Sequence, residues 1–374
     1  MDLLEIRKEI DDIDEKLIPL LLDRMECSKK VAEYKVARGI PVLNEEREQQ
    51  ILNDVGAKCG DKGETIKTVF SAIMDASRAL QHKIIGGGQQ LRDSVMGAIK
   101  NEGLLAHGEP IACQGVDGAY SGKAARALFD DSPIHFYKQF EDVNQNKAKF
   151  GVIPVENSTA GSVHESYDLI MKYRFYVVGA YDLKVCHCLA AKESTAYEEI
   201  EDVYSHPQAL SQCNIFLKNF DFTGINFTNT AAAAKFVASS DKNNIAVICS
   251  EDAAKKYGLK ILKKNIQNIS NNSTRFIVIS KELFIGKDAD KISLIFSAPH
   301  KTGSLYRVLG RFSMTGLNLT KLESRPVANG KFDYNFYADV LGSVKDEATL
   351  DLLCALYDEL PEFTFLGNYK EIEE

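Results

Sequence analysis

Two short stretches place compact polar side chains beside strand-like runs: Ile153-Pro154-Val155-Glu156-Asn157-Ser158 and Asn272-Ser273-Thr274-Arg275-Phe276. Loops at the rim of an open sheet collect such groups, and amide, hydroxyl and guanidinium donors placed together can orient a small polar molecule. A different chemistry is carried near the N-terminus. Arg24 and Lys35 fall on or beside an apolar stripe of Leu3, Ile6, Ile10, Ile13, Leu17, Leu20, Val31 and Tyr34, and their eleven-residue spacing is three helical turns, hence one face. A cation on such a stripe is costly unless partnered, so the pair meets either acidic side chains across a helix interface or an anionic ligand.

Taken singly, the same residues have purely structural uses. Asn157 and Ser158 suit a turn, Ser205-His206-Pro207 suits the cap of a helix opening near Gln208, and Arg275 suits a surface ion pair with Glu251. Cys186-His187-Cys188 looks like a metal cluster, yet alternating side chains of a strand cannot all face one ion, so this run reads as core packing and no metal is expected.

The elements that must hold these groups change character twice. Residues 3 to about 81 read as helix throughout, with Pro19 inside the first helix, where the lost hydrogen bond costs about 3 kcal/mol unless the helix kinks. Gly86-Gly87-Gly88 ends that pattern. From about Ile111 to Lys281, β-rich runs (150–155, 175–178, 245–249, 276–279) alternate with helical ones (124–129, 231–238), which is an α/β pattern. After Lys291, strand 292–297, helix 303–312, strands near 320–326 and 332–340, helix 346–360 and strand 364–366 give a βαββαβ order of ferredoxin-like type. The expected layout is a helical domain at 1–85, a linker at 86–109, an α/β domain at 110–282 and a βαββαβ module at 290–374.

Composition narrows the partners. The 374 residues are 45% hydrophobic, enough for two or three cores, and a formal net charge of -8 without a long basic run argues against nucleic acid and anionic membranes. Eight scattered cysteines, no apolar run near the roughly 20 residues of a membrane span and an acidic, helix-like N-terminus point to a cytoplasmic protein. For that reason the sequons at Asn157 and Asn272 carry little weight.

Over the first 85 positions, residues 4–17 (Leu4-Glu5-Ile6-Arg7 through Leu17), Asp23-Arg24, Lys35, Arg47-Glu48, and Ser77 with Gln81 resemble the all-helical chorismate mutase family. The resemblance implies a substrate site of Arg7, Arg24, Lys35, Asn44, Arg47, Glu48, Ser77 and Gln81. Cations hold the two carboxylates of chorismate, Lys35 and Gln81 donate to the ether oxygen, and Glu48 takes the substrate hydroxyl. A Claisen rearrangement needs no base, only a fixed folded conformer and stabilisation of charge on the breaking ether. Asn44 departs from the aspartate usual there. Arg7 and Lys35 are 28 residues apart, about 42 Å on a straight helix, so one pocket cannot use both from one copy. An antiparallel partner helix would supply the other copy's Arg7, and a homodimer or higher homo-oligomer is expected.

Gly118-Ala119-Tyr120-Ser121, Pro154-Val155-Glu156-Asn157-Ser158, Ser205-His206-Pro207-Gln208, Thr230-Ala231-Ala232-Ala233 and Thr274-Arg275-Phe276 follow in the order seen in prephenate dehydratases, whose domain is two-lobed and resembles periplasmic binding proteins. The opening run Gln114-Gly115-Val116-Asp117-Gly118 lacks a proline often found there. The resemblance makes Thr274 the donor to the departing hydroxide, with Asn157, Ser158, Ser205, Gln208 and Gln212 orienting the substrate and Arg275 at its pyruvyl carboxylate. The last 85 residues resemble an ACT domain, with Gly303-Ser304-Leu305 and Glu323-Ser324-Arg325-Pro326 at its phenylalanine site. The whole implies a bifunctional enzyme of phenylalanine biosynthesis, without metal or organic cofactor and feedback-inhibited by phenylalanine. Its alternatives are a monofunctional prephenate or arogenate dehydratase with a degenerate helical dimerisation arm, and a non-catalytic amino-acid sensor.

Overall fold

The computed structural model describes residues 2–100, 108–129, 131–137, 148–327 and 334–374. The chain divides into two compact units, residues 1–97 with 291–365 and residues 98–290 with 366–374.

The first unit opens with helices α1 (Leu3–Val36), α2 (Glu45–Lys58) and α3 (Gly63–Ile85). Asp2 and Glu5 form a capping box on α1, and Gly86, at a φ of 74°, ends α3 in the left-handed conformation that glycine adopts without strain. Helix α1 continues through Pro19. The carbonyl that loses its partner there, on Glu15, lies on an exposed turn where water can serve it. Part of the stretch expected as a linker is helix α4 (Gln89–Lys100), and residues 101–107 of it lie outside the described residues. Gly88 is required at its start: a Cβ would stand 2.5 Å from that of Cys354, and its N–H donates to Asp358 at 2.7 Å.

The second unit follows. Its first lobe is β1 (Ile111–Gln114), α5 (Tyr120–Leu128), β2 (Ile134–Tyr137), β3 (Phe150–Asn157), β4 (Gly161–Ser162), α6 (His164–Tyr173) and β5 (Tyr176–Lys184). The second lobe is β6 (Cys188–Ala191), β7 (Asp202–Ser205), α7 (Pro207–Gln212), α8 (Asn214–Asn219), β8 (Thr223–Asn226), α9 (Thr230–Ser239), β9 (Ile245–Cys249), α10 (Glu251–Lys256) and β10 (Lys260–Lys264). Strand β11 (Ser273–Ser280) then returns to the first lobe.

The βαββαβ order expected at the end is present as β12 (Lys291–Ser297), α11 (Ser304–Met314), β13 (Asn318–Pro326), β14 (Tyr334–Leu341), α12 (Glu347–Glu359) and β15 (Phe363–Tyr369), in a sheet ordered β13-β14-β12-β15. Residues 332 and 333 of the expected fourth-element strand lie outside the described residues. A further strand, β16 (Glu371–Glu373), runs parallel to β5 and completes the first lobe's sheet, ordered β16-β5-β11-β3-β1-β2 with β4 on β3. The second lobe's sheet is ordered β10-β6-β9-β7-β8. Its central strand, Ile-Ala-Val-Ile-Cys, is buried along its whole length, which is why it reads as one apolar run without alternation. No helix among the described residues is long and apolar enough to cross a membrane.

Candidate active sites

The chain crosses between the two lobes twice, through residues 185–187 and 265–272, and a cavity of about 260 Å3 lies between them. The first lobe contributes Gln114, Tyr120, Ser121, Asn157, Thr274 and Phe276; the second contributes His206, Gln208, Gln212, Asn229 and Thr230; His187 on the crossover completes the wall. Strand register explains the central pair. On antiparallel β3 and β11, Asn157 stands directly opposite Thr274, so their side chains share one face.

Backbone groups decide how the polar chain in this cleft is oriented. The N–H groups of Thr159 and Ala160 donate to Asn157 Oδ1 at 3.1 and 3.0 Å, which forces its Nδ2 to the other side. There Nδ2 meets Asn272 Oδ1 at 2.8 Å, the Ser273 carbonyl at 3.0 Å and Thr274 Oγ1 at 2.9 Å. Thr274 therefore accepts from Asn157, and its own proton is left to donate into the cleft. The same logic continues outward: Asn272 Nδ2 donates to Gln212 Oε1 at 3.1 Å, and Gln212 Nε2 donates to Thr159 Oγ1 at 2.8 Å. His187 Nε2 lies 3.0 Å from Gln212 Oε1. Burial lowers the His187 pKa against the opposing hydrogen bond from Gln212, and burial also lowers that of His206.

The other residues expected here lie elsewhere. Ser205 is fully buried within the second lobe, where its hydroxyl donates to the Ile248 carbonyl at 2.6 Å. Ser158 is exposed and ties β3 to β11, accepting from the Ser273 N–H at 2.9 Å. Arg275 alternates to the strand face opposite Thr274 and pairs with Glu156 at 2.9 Å and with Glu371. The pairing with Glu251 does not form, since that carboxylate is held by Lys255 and Lys264. His206 caps α7, accepting from the Gln208 N–H with Pro207 at the first helical position. Core packing holds for Cys188, but only partly for the run: His187 forms the cleft wall. Sequence reasoning read His187 as core by placing it inside a strand, but the strand begins one residue later, at Cys188, and Tyr120 stood in a motif without an assigned role; both line the cleft. Among the described residues no cluster of three or more potential ligands could hold a metal.

In the helical segment, Arg24 Nη1 donates to Ser77 Oγ at 2.6 Å, and Lys35 Nζ donates to the Val42 carbonyl at 2.5 Å and to Gln81 Oε1 at 3.1 Å. Burial lowers the Lys35 pKa, with Arg78 adding to the effect and Glu48 opposing it. Glu48 is held by Arg78 and by Arg307 of α11, the latter at 3.2 Å. Among the described residues neither stripe cation forms an ion pair: Arg24 and Lys35 share a polar pocket with Ser77 and Gln81, and an ion cluster built on other cations lies beside it. That cluster continues through Arg78–Asp75, Arg307–Asp75 at 3.0 Å, Arg311–Glu359 at 2.7 Å and His82–Glu359 at 2.6 Å. Arg47 is exposed and bonded to Gln50, and Asn44 serves as the cap of α2, accepting from the Arg47 N–H at 2.9 Å. Residues 2–20, Arg7 among them, are all exposed. Their apolar stripe stands bare, with Ile10 52%, Ile13 60% and Leu17 46% exposed.

Gly303, at a φ of 80°, opens α11, and Ser304 and Leu305 line a cavity of about 400 Å3 with Tyr334 and Phe336. Glu323, Ser324, Arg325 and Pro326 lie on β13 and do not line it.

Residues 111–283 match the family model for prephenate dehydratase, and residues 6–82 match that for chorismate mutase type II. The sequence is 30% identical to a bifunctional chorismate mutase/prephenate dehydratase of Enterobacter agglomerans, over 98% of this chain and 95% of that protein. It is 37% identical to arogenate dehydratase/prephenate dehydratase 2, chloroplastic, of Arabidopsis thaliana, over 69% of this chain and 72% of the relative. Prephenate dehydratase from Arthrobacter aurescens in complex with L-Phe superposes with a TM-score of 0.65 at 25% identity, covering 70% of this chain and 89% of that one.

Proposed function

Since the chain belongs to the bifunctional chorismate mutase/prephenate dehydratase family, we propose that it rearranges chorismate to prephenate and converts prephenate to phenylpyruvate, for phenylalanine biosynthesis. The observation that carries the second step is the Thr274 hydroxyl, whose oxygen is occupied by Asn157 and whose proton is free. Prephenate loses its ring carboxylate as carbon dioxide; the electron pair aromatises the ring and expels the hydroxyl as hydroxide, which takes a proton from solvent and leaves as water. Thr274 is too weak an acid to ionise near neutral pH, but as a fixed donor it stabilises charge on the departing oxygen. Among the described cleft residues there is no lysine or arginine. The substrate carboxylates instead meet the N-terminal ends of α5 and α9, through Tyr120 and Ser121 and through Asn229 and Thr230, where free N–H groups and the helix dipole favour an anion.

The first step takes place on Arg24, Lys35, Glu48, Ser77 and Gln81 of one copy with Arg7 of another. The bare stripe over residues 2–20 supports this reading, because an antiparallel copy of α1 would cover it and bring its Arg7 alongside Lys35. The terminal βαββαβ module is an ACT regulator of ferredoxin-like type, binding phenylalanine at Gly303-Ser304-Leu305, with Glu323-Ser324-Arg325-Pro326 contributed across a subunit interface. The enzyme works in the cytoplasm without metal or organic cofactor. The test feeds chorismate to the purified protein and follows chorismate loss and phenylpyruvate appearance separately, with and without phenylalanine. Both signals, suppressed by phenylalanine, are expected; prephenate turnover without chorismate loss would reduce the helical segment to a dimerisation arm.

A further inference from the structure

His187 stands where the two lobes join and touches both. Its Nε2 lies 3.0 Å from Gln212 Oε1 on α7, and its Nδ1 lies 3.3 Å from the Tyr120 hydroxyl at the start of α5, which also donates to the Cys186 carbonyl at 2.8 Å. Its main-chain N–H donates to Gln267 at 3.1 Å, and only 3% of the residue is exposed. The ring's tautomer follows from its neighbours. Gln212 Oε1 already accepts from Asn272 Nδ2, while Gln212 Nε2 is turned to Thr159, so the atom facing His187 can only accept. Nε2 therefore carries the proton, and the unprotonated Nδ1 shares the single Tyr120 hydroxyl proton, at longer range, with the Cys186 carbonyl.

From this geometry we infer that His187 is a positioning residue of the dehydration step, securing the outer, Gln212 end of the hydrogen-bonded chain Gln212–Asn272–Asn157, whose inner end is set by the Thr159 and Ala160 N–H groups and directs Thr274. The inference rests on the interlobe cleft being the dehydratase site. A flipped Gln212 would set its Nε2 against Asn272 Nδ2, donor against donor, and the mismatch would pass to the Asn272 amide, whose oxygen accepts from Asn157. The Asn272 amide and a donor at the His187 Nε2 position together exclude that arrangement. His187 thus acts on Thr274 through three hydrogen-bonded residues, Gln212, Asn272 and Asn157, without touching substrate.

The test compares His187→Gln, His187→Asn and His187→Phe in the full-length chain, with kcat and KM for prephenate measured separately. Glutamine places an N–H2 group near the Nε2 position, whereas asparagine reaches only the Nδ1 position. His187→Asn and His187→Phe are expected to lose roughly tenfold to a hundredfold in kcat, the consequence of a buried acceptor left unmatched, with KM changed less than about threefold. His187→Gln should recover most of the loss. Combined with Gln212→Ala, His187→Phe should add no further loss, since the interaction it removes is already gone. Wild-type kcat in His187→Asn, equal losses in the Gln and Asn variants, or losses that multiply in the double variant would each overturn the role. If Thr274→Val and Gln212→Ala leave dehydration intact, the assignment of the cleft itself fails, and the inference falls with it.

Discussion

Between the two lobes of the second unit, Thr274, Asn157, Gln212, His187 and Tyr120 all come from one copy of the chain, and each hydrogen bond fixes the next. The helical segment behaves differently. It gathers Arg24, Lys35, Ser77 and Gln81, yet leaves Arg7 on the far, solvent-exposed part of the same helix. A cleft between lobes surrounds its ligand by tertiary folding alone, whereas a site laid along one long helix can only be closed by another helix. The first depends on the stability of one chain; the second, on the two-copy reading proposed for it, depends on the concentration of chains as well.

Four measurements test that contrast. The largest effect is expected from Thr274→Val, which removes the donor to the leaving group. Dehydratase kcat should fall by roughly a hundredfold to a thousandfold while chorismate rearrangement in the same sample is unchanged; a parallel loss of both would mean the two sites are not independent. Next, Arg7→Ala and Lys35→Ala should each abolish most mutase activity, and refolding an equal mixture should restore roughly a quarter of it, because half the dimers are mixed and each holds one complete site. Failure to complement, or full activity in a demonstrated monomer, would remove Arg7 from the mutase site.

Third, the pKa of the Glu359 carboxyl lies at about 2, where burial, which by itself would raise it, is outweighed by the His82 hydrogen bond and the charges of Arg311 and Arg78. A depressed folded-state pKa contributes stability that is present above the unfolded value near 4.5 and is lost as pH falls through about 2. Thermal melts from pH 5 to pH 2 should therefore show the first unit weakening across that window, and Glu359→Gln, which leaves buried Arg311 without its carboxylate, should destabilise it by about 3 kcal/mol at neutral pH. The dehydratase cleft should keep its activity in that variant. The smallest effect belongs to Asn44→Ala, expected to cost about 1 kcal/mol in stability through the lost cap on α2 with mutase kcat within about twofold. A large fall in kcat with unchanged stability would return Asn44 to the substrate site.

How much of this the sequence disclosed depended on whether a local rule governs the position. The helical segment, the alternation of the α/β region and the final βαββαβ order follow from periodicity, and the five-residue run 245–249 corresponds residue for residue to a buried strand. Thr274 and Asn157 were found because each sits at a strand end, and strand register then fixed their pairing. Ser205 and Arg275 lay beyond such rules. A serine near a strand end looks the same whether its hydroxyl faces a cleft or the Ile248 carbonyl, and although alternation turns Arg275 away from Thr274, its partners Glu156 and Glu371 are brought by tertiary folding, the latter from nearly a hundred residues away. Strand β16 was invisible because Glu-Ile-Glu has little apolar character; it forms because β5 offers an unpaired edge.

The ion cluster around Asp75 and Arg78 also constrains the timing of synthesis. Residues 98–290 form a compact unit together with only the last few residues of the chain, so most of their contacts can be made while the ribosome is still translating. The first unit has no such freedom: its earliest helices bury Arg78 and His82, whose carboxylate at Glu359 is among the last residues to emerge. The segment made first is thus the last to become electrically complete: a nascent chain stalled between residues 290 and 359 has all of its interlobe cleft except strand β16, while its helical segment still lacks Glu359.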